Sequence, residues 1–147
     1  MDEEKVVEEL KARLGTVILE VKVLQRRRVF VTVDRDHYRA ALEVLREAGF
    51  DHLIAITGVD AGDYFEVIAH VGRELVVSVK AIIPKSDASI SSLIDLYKGA
   101  EFYERETWEM LGIIFEGNPR LSRTFLPENW PENVYPLRKD YEPSDSK

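Results

Sequence analysis

Three consecutive stretches rich in β-branched and aromatic residues fill the middle of the sequence, at His52 to Val59, Tyr64 to Val71 and Leu75 to Ile83. Such runs are typical of β-strands. The breaks between them contain Ala61-Gly62-Asp63 and Gly72-Arg73, which are turn-forming residues. Parallel neighbours would need a long crossover, and these breaks are too short to contain one. The sequence therefore predicts three antiparallel strands side by side.

A helix and a hairpin are predicted before this region. Apolar residues at positions 6, 7, 10 and 14 have helical spacing, and Gly15 follows them as a helix stop. Residues 17–24 and 29–33 alternate in polarity around Gln25-Arg26-Arg27-Arg28, which predicts a hairpin with the arginines on its turn. The arginine triplet is interpreted either as a patch for an anion or partner, or as an ordinary solvated turn.

Three more helices complete the predicted order of elements. One has its apolar face at positions 38, 41, 42, 45 and 48, is capped by Asp34 or Asp36, and closes at Gly49. Two others follow Pro84, at residues 90–97 and 100–111. The order α-β-β-α-β-β-β-α-α predicts an α+β domain over residues 1–112, in which helices cover a mostly antiparallel sheet.

From residue 113 onward the periodicity stops. Residues 113–147 contain five of the six prolines but keep large apolar side chains such as Phe115, Phe125 and Trp130. An extended segment of this kind would expose much apolar surface if it were free in water, so we expect it to lie along something. The sequence leaves open whether that is its own domain or another chain.

Composition excludes several classes of protein. The 147 residues carry a net charge of −7, which disfavours a nucleic-acid binder because such a protein needs a basic face. Without any cysteine the chain cannot form disulfides, thiolate zinc sites or iron–sulfur clusters.

No apolar run is long enough for a membrane span, and the acidic start does not resemble a signal peptide, so we expect a cytosolic protein. Low Gln and Asn content with abundant Glu, Lys and Arg is typical of a thermophile.

The known catalytic and cofactor motifs are missing from the sequence. His37, His52 and His70 lack metal-ligand spacing, and the glycine patterns of nucleotide-binding and hydrolase sites are absent. One dense group of carboxylates surrounds Arg105: Glu101, Glu104, Glu106 and Glu109. It could supply an acid/base pair. Because Arg105 lies four residues from both Glu101 and Glu109, we expect surface ion pairs instead, worth about 0.3–0.5 kcal/mol each.

The same predicted helix carries more aromatic residues than one apolar face needs. Positions 100, 103, 107, 110 and 111 form that face, whereas Phe102 and Trp108 point away from it. Outlying aromatic residues followed by an aromatic, proline-rich segment are typical of an interface element. A helix buried on two sides within its own domain explains the pattern equally well.

Several motifs in this region resemble those of a known family. The run from Glu104 to Arg123, E-R-E-T-W-E-M-L-G-I-I-F-E-G-N-P-R-L-S-R, is similar to the signature of the 30-kDa subunit of NADH-quinone oxidoreductase, or complex I. Residues 126–130 (L-P-E-N-W), 135–141 (Y-P-L-R-K-D-Y) and 50–60 also resemble family segments. Two positions depart from the pattern: Asn118 replaces a usual histidine of respiratory members, and Ser122 a frequent basic residue. These departures favour the relatives of this subunit found in membrane-bound nickel–iron (NiFe) hydrogenases and related ferredoxin-dependent complexes.

The resemblance implies a structural and assembly subunit that holds no cofactor and has no catalytic residue of its own. Its α+β domain would pack beside the large hydrogenase-like subunit, and residues 113–147 would wrap over that partner as an extended tail. The chain would also bind the small iron–sulfur subunit, and the complex would lie at the cytoplasmic face of the membrane. Those partners would hold the iron–sulfur clusters and a NiFe or quinone site. The resemblance also implies that partner docking uses Glu104, Arg105, Glu106, Trp108, Glu109, Pro119, Arg123, Leu126, Pro127, Trp130, Pro136, Leu137, Arg138, Lys139 and Asp140.

Three alternatives remain open from the sequence. The first is the equivalent subunit of a respiratory NADH-quinone oxidoreductase. The second, from another class, is a soluble adaptor that binds protein partners through the segment after residue 112. The third is a small enzyme that uses the carboxylates between Glu104 and Glu109, for which the sequence supplies no accompanying nucleophile or oxyanion donors.

Overall fold

The predicted hairpin forms one edge of a five-stranded sheet in the computed structural model, which describes residues 2–143. The helices and strands, in chain order, are α1 (Glu3–Leu14), β1 (Ile18–Gln25), β2 (Arg28–Asp34), α2 (Tyr38–Glu47), β3 (Leu53–Asp60), β4 (Tyr64–Gly72), β5 (Val76–Pro84), β6 (Ser89–Ser91), α3 (Ala100–Leu111) and β7 (Ile114–Glu116). The predicted α+β class is therefore confirmed.

The strand order in the sheet is β1-β2-β5-β4-β3. The pairs β1–β2, β3–β4 and β4–β5 are antiparallel, as the short breaks between their sequences predict. Strands β2 and β5 pair in parallel, with Val31 beside Val79. This pairing joins the hairpin to the three-stranded region, and the long path through α2, β3 and β4 makes it possible.

One face of the sheet is buried under all three helices. Side chains from alternate positions, such as Val31, Val67 and Val79, are fully buried there. Helix α3 covers β3, where Gly58 has no side chain and lets Thr107 and Leu111 approach closely. The opposite face carries polar pairs, including Lys80 with Glu66 at 3.2 Å. The core thus lies on one side of the sheet.

Local signals set the bounds of the first two helices. Asp2 caps α1 by accepting a hydrogen bond from the Lys5 N–H at 2.9 Å. Of the two candidate caps for the second helix, Asp34 is used: it accepts from the His37 N–H at 3.2 Å and begins a short 3₁₀ turn that leads into α2. None of the helices among the described residues is long and apolar enough to cross a membrane.

The helix predicted over residues 90–97 is wrong. Residues 89–91 instead form β6, which pairs in parallel with β7 so that Ile90 lies beside Phe115. Next along the chain, the Ser92 N–H donates to the Glu116 carbonyl at 2.8 Å, and the Leu93 N–H donates to the Glu104 carboxylate at 2.8 Å. Distant groups therefore take the donors of this segment, and only a single turn forms at Leu93 to Tyr97.

Candidate docking surface at the third helix

After helix α3 the C-terminal segment, defined as residues 113–143, turns back along the domain. Its first anchor is Glu109, whose side chain is directed at the backbone of residues 124–126. The carboxylate accepts from the N–H of Thr124 at 2.8 Å and of Phe125 at 3.0 Å, and also from the N–H of Leu126. Burial opposes ionisation of this group, yet these hydrogen bonds and the charge of Arg123 hold its pKa below the ordinary value.

Asp60, at the end of β3, is the second anchor. Its side chain accepts from the Lys139 N–H at 2.8 Å and from the Gly62 N–H at 2.9 Å, and it lies 2.7 Å from the Lys85 ammonium. Burial alone would raise the pKa of Asp60, but the hydrogen bonds and the Lys85 charge lower it to about 2. An ionised carboxylate thus ties the end of the C-terminal segment to the sheet.

Arg138 forms a third anchor at the end of α3. Its Nε donates to the Leu111 carbonyl at 2.7 Å, and its guanidinium lies 4.4 Å from the ring centre of Tyr135 and 5.2 Å from that of Phe65. Gly112 is required here because its φ of 81° favours glycine and a Cβ would lie 2.6 Å from the Tyr135 ring. The C-terminal segment therefore covers the end of the helix.

Glu104 has a different position from Glu109, although both were expected on one surface. It is fully buried and accepts from the Ser92 hydroxyl at 2.6 Å, the Leu93 N–H at 2.8 Å and the Asn118 amide at 2.9 Å. Burial outweighs these bonds and raises its pKa above the ordinary value. Asn118, one of the two departures from the family pattern, thereby joins α3 to the segment after β7.

The expected ion pairs of Arg105 are wrong. Glu109 binds backbone amides, and Glu101 pairs with Arg120 at 3.6 Å. Arg105 instead donates to the hydroxyls of Ser122, at 3.4 Å, and Thr124. The C-terminal segment supplies partners that the helix sequence alone does not reveal.

The two tryptophans both line a small cavity of about 210 Å³. Trp108 lines it from α3, and Trp130 lines it from the C-terminal segment. Hydrogen bonds within residues 123–134 hold this part of the C-terminal segment in place. Arg123 donates to the carbonyls of Trp130 and, at 2.8 Å, Pro131, and the Trp130 indole N–H donates to the Val134 carbonyl at 2.7 Å. Arg123, Leu126 and Trp130 are thus brought together beside Glu109.

The remaining residues expected at a docking site are at or near the surface. Glu106, Pro119, Pro127, Lys139 and Asp140 are exposed, and Pro136 is half-buried. Leu137 is 61% exposed and lines an open apolar groove of about 380 Å³ between α3 and β3. The Leu137 N–H is nevertheless bonded to the Met110 carbonyl at 3.0 Å, so its position is fixed.

Two exposed phenylalanines, Phe102 on α3 and Phe125 in the C-terminal segment, add to this surface. Phe102 is 53% exposed and Phe125 is 38% exposed, and their rings meet edge to face at 5.3 Å between centres. Asp60 and Phe102 were not predicted as site residues. Phe102 was detectable as an aromatic residue outside the apolar face, whereas the role of Asp60 depends on a contact with a residue 79 positions away.

The fold and these contacts define a class of protein: an α+β domain whose C-terminal segment is held against its last helix by buried carboxylates. Residues 31–147 match the family model described as respiratory-chain NADH dehydrogenase, 30 Kd subunit. The chain belongs to this family, and it is a complex-I-like oxidoreductase subunit.

Relatives come from several complexes. The chain is 34% identical to a subunit of the F(420)H(2) dehydrogenase of Methanosarcina mazei, over 97% of this chain and 93% of that protein. It is 36% identical to a subunit of the NADH-quinone oxidoreductase of Chloroherpeton thalassium over 76% of this chain, which spans half of that longer protein.

Two solved structures share the fold. One is a chain of the membrane-bound sulfane sulfur reductase, an archaeal respiratory membrane complex, with a TM-score of 0.83 and 31% identity over 95% of this chain and 85% of that chain. The other is the trypsin-resistant fragment (1-134) of Nqo5, with a TM-score of 0.71 and 26% identity over 82% of this chain and all of that one.

Proposed function

We propose that this chain is a docking and assembly subunit in the peripheral arm of a membrane-bound, complex-I-like oxidoreductase. Helix α3 and the C-terminal segment would form the surface that binds the large catalytic subunit. The observation that carries the proposal is the fixed position of this segment, which Asp60 and Glu109 hold in place. A surface that is ordered before binding loses less conformational entropy when the partner docks.

Exposed side chains supply the contacts for such docking. Phe102 on α3 and Phe125 and Leu137 in the C-terminal segment are large, apolar and exposed. Patches that combine aromatic residues with arginine are typical of protein interfaces. Charged groups at the rim, such as Glu106 and Lys139, would orient the partner.

The redox chemistry is proposed to belong to partner subunits. Because the chain has no cysteine, thiolate-held iron–sulfur clusters would be in the small subunit, and a NiFe or quinone site would be in or beside the large subunit. The chain would reach the cytoplasmic face of the membrane only through these partners.

Among the related complexes, a hydrogenase or ferredoxin-dependent type is favoured. Asn118 supports this type, because the family resemblance implies a histidine there in NADH-quinone oxidoreductases. The likeness to the sulfane sulfur reductase chain covers nearly the whole sequence and supports a complex other than an NADH-quinone oxidoreductase. The equivalent subunit of a respiratory NADH-quinone oxidoreductase is the second candidate, supported by the identity to the Chloroherpeton protein.

The test is purification of the tagged chain from its native membranes in mild detergent, followed by mass spectrometry of the bound proteins. The proposal expects recovery of a hydrogenase-like large subunit and an iron–sulfur subunit. Hydrogen evolution or ferredoxin-dependent activity would support the first type of complex, and NADH–quinone activity the second. Recovery of the chain without these subunits, from the soluble fraction, would contradict the proposal and favour the adaptor.

A further inference from the structure

Strand β1 is an edge of the five-stranded sheet, and among the described strands only β2 pairs with it. It carries three of the most exposed large apolar side chains in the structure: Leu19 at 59%, Val23 at 54% and Leu24 at 57%. An edge strand with exposed apolar side chains offers unpaired backbone groups to another strand. The surface lies away from helix α3 and is independent of the proposed function.

The sequence of this edge is complementary to itself. Around Val21 the order is Ile18-Leu19-Glu20-Val21-Lys22-Val23-Leu24, with opposite charges next to the centre and apolar residues outside them. In an antiparallel pair of two copies centred on Val21, Glu20 of each copy lies opposite Lys22 of the other. Leu19 then lies opposite Val23, and Ile18 opposite Leu24.

The geometry of β1 agrees with this register. Glu20 pairs with Thr32 and Lys22 with Phe30 in β2, so both charged side chains lie on the same face of the sheet. Within one chain the two charged groups lie 3.5 Å apart, and the side chains are 51% and 57% exposed, so both are accessible to a second copy. The pairing of β1 with β2 is irregular at Leu19 and at Leu24, so Glu20 to Val23 form the regular part of the strand. This part contains Val21, the centre of the pairing between two copies.

We propose that β1 is a self-association surface through which two copies of the chain form a symmetric dimer with a continuous sheet. A two-fold axis at Val21 satisfies the backbone groups of both edges and places opposite charges together twice. Side chains opposite each other in an antiparallel pair lie on the same face, so the axis can move only by whole residues. An axis at Glu20 would oppose Glu20 to Glu20, and an axis at Lys22 would oppose Lys22 to Lys22. Both place like charges together, so the sequence selects the register centred on Val21.

The test measures the mass of the purified full chain by light scattering and analytical ultracentrifugation over a concentration series. We expect a reversible dimer in the wild type. The variants Lys22→Glu and Glu20→Lys each place like charges opposite each other twice, and should weaken the dimer by about tenfold or more. Lys98→Glu changes the net charge as Lys22→Glu does, at an exposed site outside β1, and should leave the dimer unchanged.

Mixing the two charge variants makes the test specific for this register. Lys22→Glu has two glutamates at positions 20 and 22, and Glu20→Lys has two lysines, so a mixed dimer restores both attractive pairs. We expect the mixture to form dimers that neither variant forms alone at the same concentration. A wild-type chain that stays monomeric at all concentrations, or a dimer that neither charge variant weakens, would overturn the proposal.

Discussion

The carboxylate of Asp60 and the backbone N–H of Lys139 are 2.8 Å apart, although 79 positions separate the two residues in the chain. Asp60 ends strand β3, and Lys139 belongs to the C-terminal segment. This bond holds the segment to the sheet, whereas the Glu109 bonds hold it to helix α3.

The Asp60→Ala variant should lose this anchor. The N–H groups of Lys139 and Gly62 and the Lys85 ammonium would all lose their acceptor. We expect the free energy of unfolding in urea to fall by about 2–4 kcal/mol, with faster proteolysis after residue 135. Asp63→Ala removes an exposed carboxylate three residues away and should change stability by less than about 0.5 kcal/mol. Equal losses of stability in Asp60→Ala and Asp63→Ala would contradict the anchoring role of Asp60.

Acid should weaken the same anchor. Because the folded state lowers the pKa of Asp60 from 3.8 to about 2, ionised Asp60 adds stability at pH values above 3.8, and this is lost as the pH falls toward 2. Glu109, with its lowered pKa, acts in the same direction. Since Lys85 is partly exposed, we expect Asp60 to contribute about 1–2 kcal/mol of the loss between about pH 5 and pH 2. Urea titrations at several pH values should show a smaller loss of stability in acid for Asp60→Asn than for the wild type. An identical dependence of stability on pH in the two proteins would contradict this contribution of Asp60.

Glu104 should behave in the opposite way. Its pKa is raised, so the stability linked to its proton is fully present below the ordinary pKa and is lost as the pH rises through the raised value. Glu104→Ala leaves three buried donors without an acceptor and should cost about 2–4 kcal/mol, measured by chemical unfolding at neutral pH. Glu104→Gln keeps a neutral acceptor and should cost less. The exposed neighbour Glu106→Ala is the control, expected within about 0.5 kcal/mol of wild type.

Gly112→Ala tests the close approach of the C-terminal segment to the end of α3. Its φ of 81° and the 2.6 Å separation between an added Cβ and the Tyr135 ring should together cost about 1–3 kcal/mol in thermal or urea unfolding. Gly99→Ala is matched to it at the start of the same helix, where φ is −65° and nothing lies within 4 Å of an added Cβ. A larger loss for Gly99→Ala would show that the segment does not pack as described.

Much of the fold follows from local pattern. The alternating runs predicted the five strands of the sheet, and helical spacing predicted α1, α2 and α3, because these signals lie within the elements themselves. The helix expected over residues 90–97 failed since Ile90 pairs with Phe115 and Leu93 bonds to Glu104, both from later in the chain. The parallel pairing of β2 with β5 likewise joins strands that are distant in sequence.

The sequence predicts a docking surface at α3 and the C-terminal segment, from the aromatic residues outside the apolar face of α3 and from the proline-rich composition of the segment. It does not reveal the contacts between the two. Spacing along one helix predicted pairs between Arg105 and its neighbours, but the C-terminal segment offered Glu109 three backbone donors and offered Arg105 two hydroxyls. Tertiary contacts of this kind are not encoded in the spacing of one element.

The most direct test of the account measures how much of the large subunit is recovered from native membranes with tagged variants of the exposed surface. Phe125→Ser and Leu137→Ser should each reduce this recovery at least several-fold while the isolated variants stay folded. Val59→Ser is the control, since Val59 and Phe125 are both 38% exposed and Val59 lies on the sheet strand β3. Recovery should stay at the wild-type level in Val59→Ser. Wild-type recovery in both Phe125→Ser and Leu137→Ser would contradict docking through helix α3 and the C-terminal segment.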